Sequence, residues 1–208
     1  MKLADAYKET RQTTTAINET GKKGVRSSKR TDTLNGCMIQ WLDKNTDDSW
    51  TFNSEISIDC ARGGSFKIDV VGHKGGKMKA LFLLKAIESS YNKNRHNYGN
   101  TVVGEASRIF DLKGRRDLDV FFIDWIPREL PIYNKDGKRL KDEKINAVNL
   151  QGAEDRWNTL LEKEKRNSSI SFLKIDFDFD FKKNKVDNYH NDELIKDTIL
   201  EKINGRTL

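Results

Sequence analysis

Residues 118–126, LDVFFIDWI, form a largely apolar run, and Pro127 ends it. A strand with one face in water alternates apolar and polar residues. A run apolar on both sides fits a strand covered on both faces, in the middle of a sheet. Proline cannot continue such a ladder, which sets the boundary.

Other segments supply the rest of the sheet and its cover. Two apolar runs, Phe66–Gly72 and Ala80–Ala86, flank HKGGK, whose adjacent glycines mark the turn of a β-hairpin. Ser171–Phe181, SFLKIDFDFDF, alternates strictly as a half-buried strand. A short helix is predicted near 34–43, then a turn at DD and a strand or short helix leading into Arg62-Gly63-Gly64. A longer helix is predicted from about Asn94 to Phe110, where Val102, Ala106 and Ile109 recur at the spacing of a buried face. Gly99 and Gly104 weaken it, and small residues there would let it sit close to the sheet. The stretch from Pro131, with Asp136-Gly137 as its turn, reads as a long charged loop. Helices near 152–165 and over Asp192–Ile203 close the chain, the last a candidate dimer surface. The expectation is an α/β (α+β) protein with a mixed central β-sheet flanked by helices. No repeat or boundary divides residues 1–208, which read as a single domain. Residues 1–32 are expected to form a mobile basic N-terminal arm, in which GKKGVRSSKR at 21–30 holds five basic residues and no acid.

Lys plus Arg exceeds Asp plus Glu by 38 to 32, and a net charge of +6 favours a polyanionic partner without specifying one. Cys37 and Cys60 are too few and too isolated for a disulfide framework or a zinc site, so both are expected as buried free thiols. No run of about eighteen apolar residues suggests a membrane span. No apolar signal-peptide core opens the chain, so a cytoplasmic location is expected.

Candidate chemistry concentrates on the hairpin. If its turn leaves an even register, Asp69 shares a face with Leu83 and Lys85, opposite Phe66, Ile68, Val70, Phe82 and Leu84. An acid and a lysine so placed suit metal-dependent phosphodiester hydrolysis. Magnesium takes one or two carboxylates plus waters and phosphate, and a nearby lysine orients water or stabilises developing charge. Other signals are discounted. GHKGGK has short glycine spacing, and Met78 stands where a phosphate loop needs Ser or Thr. Asp176, Asp178 and Asp180 share one strand face and read as a solvated surface. His73, His96 and His190 lack metal-site spacing. Glu55 and Asp59 lie upstream and read as surface carboxylates.

Asp69, with Lys85 sixteen residues later on the return strand, resembles the core of the PD-(D/E)XK nucleases, particularly type II restriction endonucleases. The runs KALFLLKA, VVGEASR and VFFIDWIPRELPIYNKDGK extend the resemblance over roughly 66–145. One position departs: Leu83 stands two before the lysine, where the family has Asp or Glu. Some members carry the missing carboxylate on the following helix, and Glu105 fits that role, with Glu88 as its rival. Glu105 equally fits a surface pairing with Arg108 one turn on.

The resemblance implies a restriction endonuclease-like fold and a Mg²⁺-dependent, sequence-specific endonuclease acting on double-stranded DNA as a homodimer. Asp69 and Glu105 would bind metal, and Lys85 would position the attacking water. Within SSYNKNRHNYGN, Asn92, Lys93, Asn94, Arg95 and Asn97 are candidate DNA contacts, since such side chains reach bases and phosphates. Arg108, Arg115 and Arg116 add a second basic cluster. The alternative is a non-catalytic nucleic-acid-binding protein on the same fold, favoured by Leu83. A basic RNA-binding or assembly protein, with the hairpin only as core, is the third reading.

Overall fold

The fold is that of a computed structural model, in which residues 2–19, 26–89, 91–112, 118–134, 138–145 and 169–205 are described. The side chains of residues 17–19, 26–28, 92, 93, 95 and 169 lie outside that description. The elements are α1 (Asp5–Glu19), α2 (Arg26–Asn45), β1 (Trp50–Asp59), β2 (Ser65–Lys74), β3 (Lys77–Ala86), α3 (Tyr91–Phe110), β4 (Asp119–Pro127), β5 (Glu129–Tyr133), β6 (Arg139–Lys144), β7 (Ser169–Asp180), β8 (Lys185–Tyr189) and α4 (Asp192–Asn204).

Six strands form one mixed sheet in the order β1-β2-β3-β4-β7-β8, and β5 and β6 form a separate pair. The run that ends at Pro127 is central, as its apolar pattern requires. Every residue of β4 is buried, and the strand runs parallel to both β3 and β7. Helix α3 provides the crossover that a parallel β3–β4 pair needs. On one face Phe82, Phe121, Ile123, Trp125 and Ile175 pack against α1, α2 and α4. On the other, Ile68, Leu81, Leu83, Val120 and Phe122 pack against Val102, Ala106 and Ile109 of α3. The mixed sheet flanked by helices is therefore observed.

The hairpin turn is tight. Gly75 and Gly76 both have positive φ, 55° and 76°, the type I′ geometry that matches strand twist and favours glycine. Its apolar residues do not share one face, however. Val70 and Phe82 join the α1/α2/α4 side, whereas Phe66 and Ile68 join the α3 side. The change falls at Asp69, where the ladder itself divides. From Lys74↔Lys77 to Val70↔Phe82, β2 pairs with β3. Beyond that point β2 stays with β1 (Ile56↔Ile68, Ile58↔Phe66), while β3 stays with β4 (Leu83↔Phe122, Lys85↔Asp124).

Three further expectations are corrected. The described part of residues 1–32 is not a loose arm, because α1 is anchored in the core. The Tyr7 hydroxyl donates to the Ile87 carbonyl (2.8 Å), and Trp125 Nε1 donates to the Leu3 carbonyl (2.7 Å). The buried Asp192 carboxylate accepts the Leu3 and Ala4 amides at 3.2 and 2.9 Å. GKKGV at 21–25 lies outside the described residues. The stretch after Pro131 belongs to the β5–β6 pair rather than to a long loop, and its Asp136-Gly137 turn is outside the described residues. At Gly104 an added Cβ would meet nothing within 4 Å, so that glycine does not serve close packing. The helix expected near 152–165 also lies outside the described residues.

Elsewhere the patterns hold. Ile175, Phe177 and Phe179 are buried, while Asp176 binds Arg128, Asp178 meets His190, and Asp180 meets Lys183 on the opposite, solvated side. Cys37 and Cys60 are buried free thiols. The apolar residues Ile195, Ile199 and Ile203 of α4 lie in the protein's own core. No described helix is long and apolar enough to cross a membrane.

Candidate active site

The divided ladder leaves an opening, and a cavity of about 350 Å³ occupies it. Its sheet wall is Asp69 of β2, Leu83, Leu84, Lys85 and Ala86 of β3, and Phe122 and Asp124 of β4. Tyr98, Val102 and Glu105 of α3 close one side, and Thr10, Arg30, Thr31 and Leu34 of α1 and α2 the other. Glu88 and Ser89, just past β3, complete it.

Asp69 is held by the division that exposes it. Once β2 leaves β3, one Asp69 oxygen accepts the Leu84 amide at 2.8 Å. That bond commits Oδ2. Burial pushes the Asp69 carboxyl above its ordinary range, and the Leu84 amide and nearby lysines partly offset this. Glu55 adds to the upward push. It lies opposite Asp69 in β1, with the unusual φ of 58°, and pairs with Lys67 at 2.6 Å.

Lys85 comes to the cavity two strand positions beyond Leu83, with its Nζ 4.7 Å from the centre of the Tyr98 ring. A cation over an aromatic face is attracted by the ring quadrupole. Three acids also act on it: Asp69, Glu105 and Asp124 each experience its charge. Glu105 is brought inward because Val102, Ala106 and Ile109 bury the adjacent helix face. Its carboxyl is raised by burial first, with Lys85 opposing and Asp69 adding.

Asp124 is the member that sequence reasoning missed. It is the direct β4 neighbour of Lys85 in the parallel register and is only 8% exposed. Burial pushes its carboxyl up to about 7, with Lys85 opposing and Glu105 reinforcing the shift. The available signal was an acid set inside the mostly apolar run LDVFFIDWI, whose other acid, Asp119, is also buried.

Comparison with solved structures aligns the chain with P. aeruginosa ATCC27853 NucC in its cAAA-bound form. The alignment covers 99% of this chain and 91% of that one, at 11% identity and a TM-score of 0.45. No family model and no curated protein matches the chain. A likeness at that level carries no argument about activity.

Glu88 also reaches the cavity, but it is engaged elsewhere. It accepts a hydrogen bond from Thr14 at 3.0 Å and approaches Arg30 at 3.9 Å. Asp69, Lys85 and Glu105 thus meet in one cavity, with Glu88 at its α2 side.

Of the residues singled out for DNA contact, Asn94, Asn97 and Arg108 have described side chains. Asn94 hydrogen-bonds Tyr98. Asn97 is exposed at the helix surface. The Arg108 guanidinium lies over the Phe66 ring at 5.5 Å. The side chains of Asn92, Lys93 and Arg95, and all of Arg115 and Arg116, lie outside the described residues.

The donor set suits a hard cation. Among the described residues no group of three or more His, Cys, Asp or Glu forms a metal cage. Magnesium does not need one, since it keeps several waters and takes one or two carboxylates plus phosphate. Asp69 and Glu105 offer two carboxylates, and the charge of Asp69 helps raise the Glu105 carboxyl. Burial disfavours the charged form of both, and an arriving cation would relieve that penalty.

Proposed function

We propose that residues 1–208 form a single-domain, Mg²⁺-dependent endonuclease. It cuts double-stranded DNA at specific sites in the manner of a type II restriction enzyme and acts as a homodimer. The observation that carries this reading is the meeting of Asp69, Lys85 and Glu105 in one cavity at the divided hairpin. Two-fold symmetry in the protein would match a palindromic site cut on both strands. Exposed Asn97 and Arg108 on α3 offer polar and cationic groups to the duplex beside that cavity.

Asp69 and Glu105 would hold Mg²⁺, which when bound supplies Lewis acidity toward phosphate and lowers the pKa of a bound water. Asp69 is oriented for this by the Leu84 amide. Lys85 hydrogen-bonds and orients the attacking water, and its positive charge favours the transition state as negative charge builds on the phosphoryl oxygens. The Tyr98 ring limits where the Lys85 ammonium sits. Attack by water is direct and in line, so no side chain needs to act as a covalent nucleophile.

The test is incubation of long duplex DNA with the protein in Mg²⁺ and in EDTA, with products separated on a gel. Discrete fragments in Mg²⁺ alone support the proposal. Lys85→Ala should lower cleavage by about a hundredfold or more, the scale of losing one transition-state donor, while leaving DNA binding intact. Full activity in that variant rejects the assignment. Leu83, which occupies the family's usual acid position, favours a second reading: binding without cutting. Intact DNA that shifts in a binding assay under every metal condition would support that one instead.

A further inference from the structure

Four acids and two bases line the cavity: Asp69, Glu88, Glu105 and Asp124 against Lys85 and Arg30. Three of those acids feel the charge of Lys85, so its ammonium is shared among carboxyl groups at the sheet end. Arg30 lies at the other end, on α2. Its side chain is 39% exposed, and its guanidinium approaches Glu88 at 3.9 Å. Glu88 is itself only 13% exposed and is fixed by Thr14 at 3.0 Å. A pair this long and this open contributes little to stability. It does keep a five-donor group at the cavity's edge, and that group is suited to bidentate binding of phosphate.

We propose that Arg30 binds the non-bridging oxygens of a backbone phosphate on the strand that enters the cavity, with Glu88 tethering it there in the free protein. This rests on the nuclease reading and adds a phosphate-binding residue at the α2 end of the same site. It gives α2 a place in substrate binding, and it separates the two rival acids by role. Glu105 faces the metal end, and Glu88 faces the arginine.

The experiment uses the Lys85→Ala protein in EDTA, so that binding is measured without cleavage. Affinity for a short DNA duplex is followed over a series of salt concentrations, with thermal unfolding of each variant alongside. Adding Arg30→Ala should weaken binding about tenfold and flatten the salt dependence by about 0.9 in log K against log salt, one phosphate contact. Arg30→Lys should keep the slope and recover only part of the affinity, because charge is retained and the bidentate fork is not. Glu88→Gln should bind as well as its parent or better. An unchanged slope in Arg30→Ala overturns the proposal, and so does an equal loss in Glu88→Gln and Arg30→Ala. If the parent does not bind DNA and the unmutated protein does not cut it, the nuclease reading fails and this inference falls with it. If the unmutated protein cuts and Arg30→Ala binds normally, only the inference fails.

Discussion

Replacing Asp124 by Asn should stabilise the protein while impairing its activity, and the stability gain should grow with pH. The Asp124 carboxyl is raised from 3.8 to about 7, with burial the largest cause. A group whose folded pKa lies above its unfolded value favours folding while protonated and penalises it once ionised. The penalty is absent below the unfolded value, grows as pH rises from about 4, and is complete above about 7. At 1.36 kcal/mol per pH unit it reaches roughly 2 kcal/mol at pH 5 and roughly 4 kcal/mol at pH 8. Asparagine keeps the shape and cannot ionise, so Asp124→Asn should exceed the unmutated protein in stability by amounts near these. The assay is urea unfolding in EDTA at pH 5, 6, 7 and 8, with the difference in unfolding free energy plotted against pH. A flat difference, or one that falls with pH, refutes the reasoning. Under the nuclease reading, cleavage by the same variant should drop by about ten- to a hundredfold, the usual cost of losing a group that supports a metal site from outside the ligand set. A stable and impaired variant is the familiar signature of an active-site residue retained at the expense of stability.

Two further substitutions test the scaffold. Gly104→Ala should stabilise by about 1 kcal/mol, measured as a higher urea midpoint, since the position is helical and exposed and an added Cβ meets nothing within 4 Å. Tyr7→Phe should cost about 1–2 kcal/mol, because it leaves the buried Ile87 carbonyl without its 2.8 Å donor. No change in unfolding would mean that α1 is the loose arm its composition suggests.

The layers of the fold were legible because they are written in local periodicity. LDVFFIDWI had to be central, SFLKIDFDFDF had to have one wet face, and Val102, Ala106 and Ile109 had to turn α3 toward the sheet. The α1 anchor was not legible. Residues 1–32 are polar on average, and Leu3, Ala4 and Tyr7 are too sparse to signal a buried helix face, yet all three are buried. What fixes them is Trp125 and Asp192, more than a hundred residues away, and no local pattern carries that.

The candidate site divides along the same line. Asp69 and Lys85 could be paired from sequence because a hairpin ties register to turn length, and Glu105 could be added because a helix ties it to a buried stripe. Asp124 and Arg30 reach the cavity through relations of another kind. Asp124 neighbours Lys85 only because β3 and β4 run parallel, and a parallel register is set through a twenty-residue crossover helix rather than a turn. Arg30 reaches the cavity only because the hairpin ladder divides at Asp69 and opens the sheet toward α2. That division also explains why Leu83 need not be acidic for carboxylates to collect here. Neighbouring strands and helices bring Asp69, Glu105 and Asp124 around Lys85, while Leu83 packs into the α3-side core. The acid motif is therefore distributed across the fold, and its parts are identified by where they meet.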